Sequence, residues 1–226
     1  MRLRSLFLFE MRILEKYGFY FLYAVITAVY VIVLFALPEN WREKAAAILI
    51  FSDPAAMGLF FMGAIVLLEK SQHTPCAVAA SPVRPAEYII AKAGSLSVIS
   101  ILVAAALSLA AGVGHLFWVL SGTFLSGVIF SLLGMIVATK AESLNRFILW
   151  TAPVEIACFV PAMLHLFRIT PAWLRYYPVN ACMDMIAGHA PSGAGLLGIL
   201  TMMAILTVLA GYDVLKMWDR IGGVKL

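Results

Sequence analysis

Six apolar runs, each long enough to cross a bilayer or nearly so, limit what this chain can fold into. A hydrocarbon core about 30 Å thick is spanned by about 20 helical residues. In lipid every backbone N–H and C=O must be paired inside its own segment, so such runs become helices. The pattern predicts spans over about residues 17–37, 54–68, 88–113, 116–139, 147–167 and 193–215. The expected fold is therefore all-α, a polytopic membrane protein in one transmembrane domain. Composition agrees: 63% of the 226 residues are hydrophobic and 12% charged. A soluble fold of this size could not cover its surface with so little charge.

The second run needs comment. Asp53-Pro54 interrupts it, and Ser52 or Asp53 can serve as N-cap with Pro54 in the first turn. The expectation is a short span from Pro54, preceded by a short interfacial helix over residues 42–51. Gly112-Val113-Gly114-His115 makes a tight turn, so the third and fourth spans form an antiparallel pair. Residues 168–191 are moderately apolar but broken by Pro171, Pro178, Gly188 and Pro191. Short helices dipping into the interface are expected there, before the last span.

The first sixteen residues are amphipathic. Leu3, Leu6, Phe7, Met11, Ile13 and Leu14 share one half of a helical wheel; Arg2, Arg4, Ser5, Arg12, Glu15 and Lys16 share the other. Such a helix lies in the membrane interface. Glu10 breaks the apolar half. It either snorkels or faces a protein partner or the loop after span two.

Basic residues set the orientation. Arg2, Arg4, Arg12, Lys16, Lys70, Arg84, Lys92, Lys140, Arg146, Lys216, Arg220 and Lys225 fall on one side, and Arg42, Lys44, Arg168 and Arg175 on the other. Twelve against four predicts that both termini are cytoplasmic. A multi-pass protein of the cell (inner) membrane is expected.

Motifs for chemistry are missing. There is no GxxxxGK[ST], HExxH or GxSxG. Cys76, Cys158 and Cys182 fit neither a disulfide framework nor a zinc site. His73, His115, His165 and His189 lack metal-ligand spacing. The net charge of +4 comes without a nucleic-acid-binding pattern, so no nucleic acid partner is expected. No cleavable signal sequence and no inverted repeat stand out. A membrane-embedded enzyme, such as a lipid-modifying transferase or protease, would need clustered polar groups near one face. A non-transporting assembly or sensor protein is a further alternative.

The most informative stretch is the loop over residues 69–87. Glu69-Lys70 closes span two. A short helix over about residues 73–80 follows, stopped by Ser81-Pro82. Pro85 then starts the next helix, with Glu87 in its first turn, where the helix dipole favours a carboxylate. A short helix held between two spans by proline punctuation can transmit force into the membrane.

This loop resembles that of ABC-2 type permeases, the membrane subunits of one class of ABC transporters. Glu69-Lys70, Ser81-Pro82, Glu87-Tyr88 and Lys92 carry the likeness. Residues 53–64, from Asp53-Pro54-Ala55-Ala56 onward, are similar to the fluoroquinolone-export branch. The layout matches along the whole chain. His73-Thr74-Pro75 departs from the pattern, since Pro75 would delay or kink the coupling helix.

The resemblance implies two permease copies, identical or related, working in membrane lipid with two copies of a separate ATPase. No cofactor is implied in this chain; ATP and Mg would sit on the partner ATPase. The ATPases would push on the coupling helix and the N-terminal helix, and the spans would alternate between inward-open and outward-open states. Glu69, Lys70, His73, Ser81, Pro82, Arg84, Glu87, Lys92 and Glu10 are then candidates for coupling.

Glu155 stands near the middle of span five between Pro153 and Pro161. A carboxylate at this depth costs about 2.5 kcal/mol or more, so it should face the bundle, a partner or water. Glu155, Pro153 and Pro161 are candidates for the translocation path or gate; a structural carboxyl bonded to a neighbour is the alternative. Trp173, Tyr176 and Tyr177 mark an aromatic belt or a lid over the exit. Gly122, Ser126, Gly127, Ser131 and Gly134 on span four suit close helix packing, inside the subunit or at a dimer face. The substrate itself is not legible.

Overall fold

The computed structural model describes residues 2–174 and 176–222, without the side chains of residues 2, 54–57, 172, 221 and 222. Of the basic residues counted for orientation, Arg175 and Lys225 lie outside the described residues. The N-terminal helix, Arg2–Lys16, is followed by six helices long and apolar enough to cross a membrane. They are Phe19–Ala36, Glu39–Ser71, Pro85–Ala111, Leu116–Lys140, Leu144–Leu166 and Gly193–Arg220, spans one to six. A loop helix, Thr74–Ala79, lies between spans two and three, and a far-end helix, Pro178–Ile186, before span six.

Local chemistry sets the breaks. Gly18 takes a left-handed backbone (φ 75°), which turns the N-terminal helix into span one. Gly112 (φ 72°) ends span three, and the Val113 N–H donates to the Ser108 carbonyl at 3.0 Å. The Arg84 N–H donates to the Glu87 carboxylate at 2.9 Å and fixes the start of span three. The Ser143 hydroxyl accepts from the Arg146 N–H at the start of span five.

Span two differs from expectation. Instead of an interfacial helix followed by a short span from Pro54, residues Glu39–Ser71 form one helix that widens into a π-helical stretch over Ala55–Phe61. Proline has no N–H to donate and would clash in a regular α-turn. The wider winding starts at the residue after Pro54, and the helix runs on through it.

Span four is the hub. Its small residues let three neighbours approach closely. Gly122 admits the far-end helix, so that a Cβ there would lie 3.0 Å from the Cys182 carbonyl. Gly127 faces Ser97 of span three, and Gly134 meets the carbonyls of Gly58 and Leu59 in the π stretch. This face is thus used for packing inside the subunit. Gly63 of span two likewise makes room for the Phe147 ring of span five. Spans one, five and six are exposed along most of their length.

The region before span six also differs in character. The far-end helix buries Val179, Asn180, Cys182, Met183 and Met185 in the bundle rather than lying at an interface. Trp173 and Tyr176 stay exposed, while the Tyr177 hydroxyl meets Cys158 Sγ at 3.7 Å. Burial pushes the Cys182 thiol up to about 12, so it is an inert apolar group.

Candidate functional site

Three helices meet around one ammonium. Lys92, seven residues into span three, is 2% exposed. Its Nζ lies 2.5 Å from Glu69 Oε1 and 3.0 Å from Glu10 Oε2. The Tyr88 hydroxyl donates to Glu69 Oε2 at 2.6 Å, and the Tyr88 ring lies 5.0 Å from the ammonium. Trp218 of span six packs edge-on against Tyr88 at 5.7 Å. The N-terminal helix, spans two and three, and the end of span six are thereby tied at one end of the bundle, called here the loop end.

The sequence explains how Glu10 gets there. Leu14, one turn later on the same face, is 1% exposed, and Phe7 packs over Gly94 of span three. That apolar seam carries Glu10 inward, where it reaches the start of span three rather than solvent. Two carboxylates share one ammonium. Burial pushes the Glu10 carboxyl above its ordinary range more than Lys92 pulls it down, and Glu69 adds repulsion. Buried ions of this kind are held only by full pairing, and loss of one partner leaves an uncompensated charge.

Lys70 takes a separate role. Its Nζ donates to the carbonyls of Ala138, Thr139 and Ala141, at 3.0, 3.0 and 2.8 Å. These are the otherwise unpaired carbonyls at the end of span four, where a cation is favoured. Beside it a cavity of about 380 Å³ is lined by Lys70, Lys140, Glu142 and Arg220. Lys140 pairs with Asp213 of span six at 2.9 Å, a link the sequence did not reveal.

The loop helix begins after His73, which has a left-handed backbone (φ 55°), and Pro75 sits in its first turn. The departure from the family pattern is accommodated by an ordinary proline start. The Ser81 hydroxyl donates to the Val78 carbonyl at 2.6 Å. His73, Pro82 and Arg84 are exposed, and Glu87 is half-buried. They form the rim of the loop end, outside the buried junction.

Glu155, Pro153 and Pro161 do not join this cluster. Glu155 is half-buried at mid-span and makes no hydrogen bond or ion pair with a described residue; Pro153 is exposed and Pro161 buried. At the opposite end His165 Nε2 meets Asp184 Oδ1 at 2.9 Å, and its Nδ1 meets Thr170 Oγ1 at 3.2 Å. The pair fastens span five to the far-end helix beside a cavity of about 730 Å³ that Arg168 and His189 also line. Among the described residues no group of three or more His, Cys, Asp or Glu could hold a metal ion.

The sequence offers Asp53, or its neighbour Ser52, as a helix cap. Within the continuous span two it is instead 4% exposed, and its Oδ2 has no hydrogen-bond partner. The signal in the sequence is a lone acid within the otherwise uncharged run of residues 45–68.

The comparisons with known proteins converge. The model of the fluoroquinolones export permease protein family matches residues 1–211. The chain is 29% identical over 161 residues to the fluoroquinolones export permease proteins of two Mycobacterium tuberculosis strains, CDC 1551 and H37Rv; the match covers 69% of this chain and 68% of each relative. No solved structure matches.

Proposed function

Because the chain belongs to the fluoroquinolones export permease family, we propose that it is the membrane-spanning subunit of an ABC exporter. It moves an amphipathic or hydrophobic substrate, drug or lipid-like, outward by alternating access. Two copies of a separate ATPase, holding ATP and Mg, supply the energy, and a second permease copy completes the unit. The loop end faces the cytoplasm of an inner-membrane protein, in keeping with the charge bias.

One observation carries this reading: the buried junction of Glu10, Glu69 and Lys92. A push on the loop helix reaches Glu69 and Lys70 directly. A push on the N-terminal helix reaches Glu10. Both converge on the start of span three through one ammonium, and Lys70 passes the motion to span four. The exposed rim of His73, Pro82 and Arg84 offers the contact surface for the ATPase, and Ser81 and Glu87 hold its shape. Glu155, with Pro153 and Pro161, lines the path or gate, because a half-buried, unpartnered carboxyl at mid-span calls for water or a ligand.

The test is co-purification with an ATPase subunit from the same cells, followed by ATPase activity in proteoliposomes. Fluoroquinolone stimulation of that activity is expected. A permease that binds no ATPase would overturn the proposal. Glu155→Gln should slow transport with assembly intact; unchanged transport removes Glu155 from the path.

A further inference from the structure

Asp53 sits about 21 Å along span two from Glu39 and about 24 Å from Glu69, at 1.5 Å per residue. It therefore lies near mid-membrane. It is 4% exposed, its Oδ2 is unpartnered, and it makes no ion pair with a described residue. A carboxyl sealed in hydrocarbon persists only with its proton on or with a cation against it. Tyr23 and Tyr30 of span one lie within reach of its charge. Tyr23 also packs edge-on against Phe61 of the π stretch, with ring centroids 5.8 Å apart.

A lipid-facing groove lies on the Tyr23 side of span one. A groove of about 260 Å³ between spans one and three is lined by Tyr20, Tyr23, Thr27 and Leu102. Leu102 is 59% exposed, so the groove opens on the outside of the bundle. Tyr23 is shared between this groove and the electrostatic surroundings of Asp53. The carboxyl is followed directly by Pro54 and the π stretch, a winding found mostly at functional positions.

We propose that Asp53 receives the basic amine of an amphipathic substrate, which enters from the lipid through the Tyr23 groove. This rests on the export reading above and names the substrate class for it. The amine arrives in the bilayer as its neutral free base. The carboxyl O–H bond breaks, an N–H bond forms, and an ammonium–carboxylate pair remains. Net charge is zero before and after, so no isolated ion crosses hydrocarbon. The phenol and phenyl faces of Tyr23, Tyr30 and Phe61 suit the ammonium. On release into water the ammonium leaves and the carboxylate takes a proton from solvent.

The test uses the full permease in proteoliposomes and dicyclohexylcarbodiimide, which modifies protonated carboxyls in apolar surroundings. Mass mapping should find the adduct on Asp53, and Asp53→Asn should lose it. N,N-dimethyldecylamine at about ten times its Kd should slow labelling about tenfold by simple occupancy. Decanol at the same membrane concentration should not. An unlabelled Asp53, absent protection, or equal protection by the alcohol overturns the inference. Amine protection with no ATP-driven uptake into inverted vesicles would sink the export reading instead, leaving the amine site standing.

Discussion

Glu69 and Asp53 are carboxyls on one helix, and the bundle treats them in opposite ways. Glu69, at the loop end, is 9% exposed and meets Lys92 and Tyr88 with both oxygens. Asp53, at mid-depth, is 4% exposed and has an oxygen with no partner. The first is a closed junction in which every charge has an owner. The second is an open valence. A fixed joint transmits displacement and must not exchange its partners. A site that takes up and releases something must keep a partner missing.

The comparison is broken hardest at Lys92. Lys92→Met would leave Glu10 and Glu69 buried against each other, and loss of one partner of a buried ion pair costs about 3–5 kcal/mol. Thermal unfolding of the purified permease should show it. Neutralising all three, Glu10→Gln and Glu69→Gln with Lys92→Met, should recover much of that loss. A single Lys92→Met variant as stable as the parent would mean the junction is not closed.

Next comes the packing that holds Asp53 in place. A Cβ at Gly134 would lie 2.8 Å from the Gly58 carbonyl in the π stretch. Backbone cannot swing aside as a side chain can, so Gly134→Ala should destabilise by about 1–3 kcal/mol. The same melting assay checks it, and carbodiimide labelling of Asp53 should change with it.

Asp53→Asn should cost less than about 1 kcal/mol, since no partner's hydrogen bond to Oδ2 is lost. Glu69→Gln, which weakens two short bonds, should cost more. Equal losses would erase the distinction between the two carboxyls.

The smallest effect concerns pH. Glu10 is raised above 4.5 in the docked N-terminal helix, so the docked state binds more protons than the released state. By linkage, docking is strongest at acid pH and weakens as pH rises from about 4.5 through the raised value. Amide exchange of residues 5–14 should therefore quicken over that range, beyond the intrinsic base-catalysed rate. A flat protection profile would contradict a Glu10 carboxyl raised by burial in the docked helix.

Much of this was legible in the sequence. Apolar run length marks a span because the bilayer imposes one dimension on every helix. Glu10 could be singled out because one acid in an apolar half-wheel needs a reason. That Glu69, Lys92 and Glu10 meet depends on how three helices pack, which no local pattern encodes. Asp53 is obscured for a local reason: Ser52-Asp53-Pro54 is also what a helix start looks like. The π stretch has no compositional mark, because Pro54 can end a helix, start one or be absorbed by wider winding. The far-end helix reads as interfacial in the sequence because its flanking prolines suggest a broken segment. Its burial follows from Gly122, a residue on another span.

The wider winding of Ala55–Phe61 also sets an angular phase. Each residue of an α-helix turns the chain by about 100°. A stretch wound more loosely changes which way everything beyond it faces. With Glu69 pinned to Lys92 on one side of that stretch, Asp53 on the other side keeps its heading only while the loose turn stays between them. Moving that turn a few residues toward the start of the helix, past Asp53, would rotate the mid-membrane carboxyl like a key while its handle stays clamped. Span two could then present Asp53 to different neighbours in turn without sliding along its axis or unfolding.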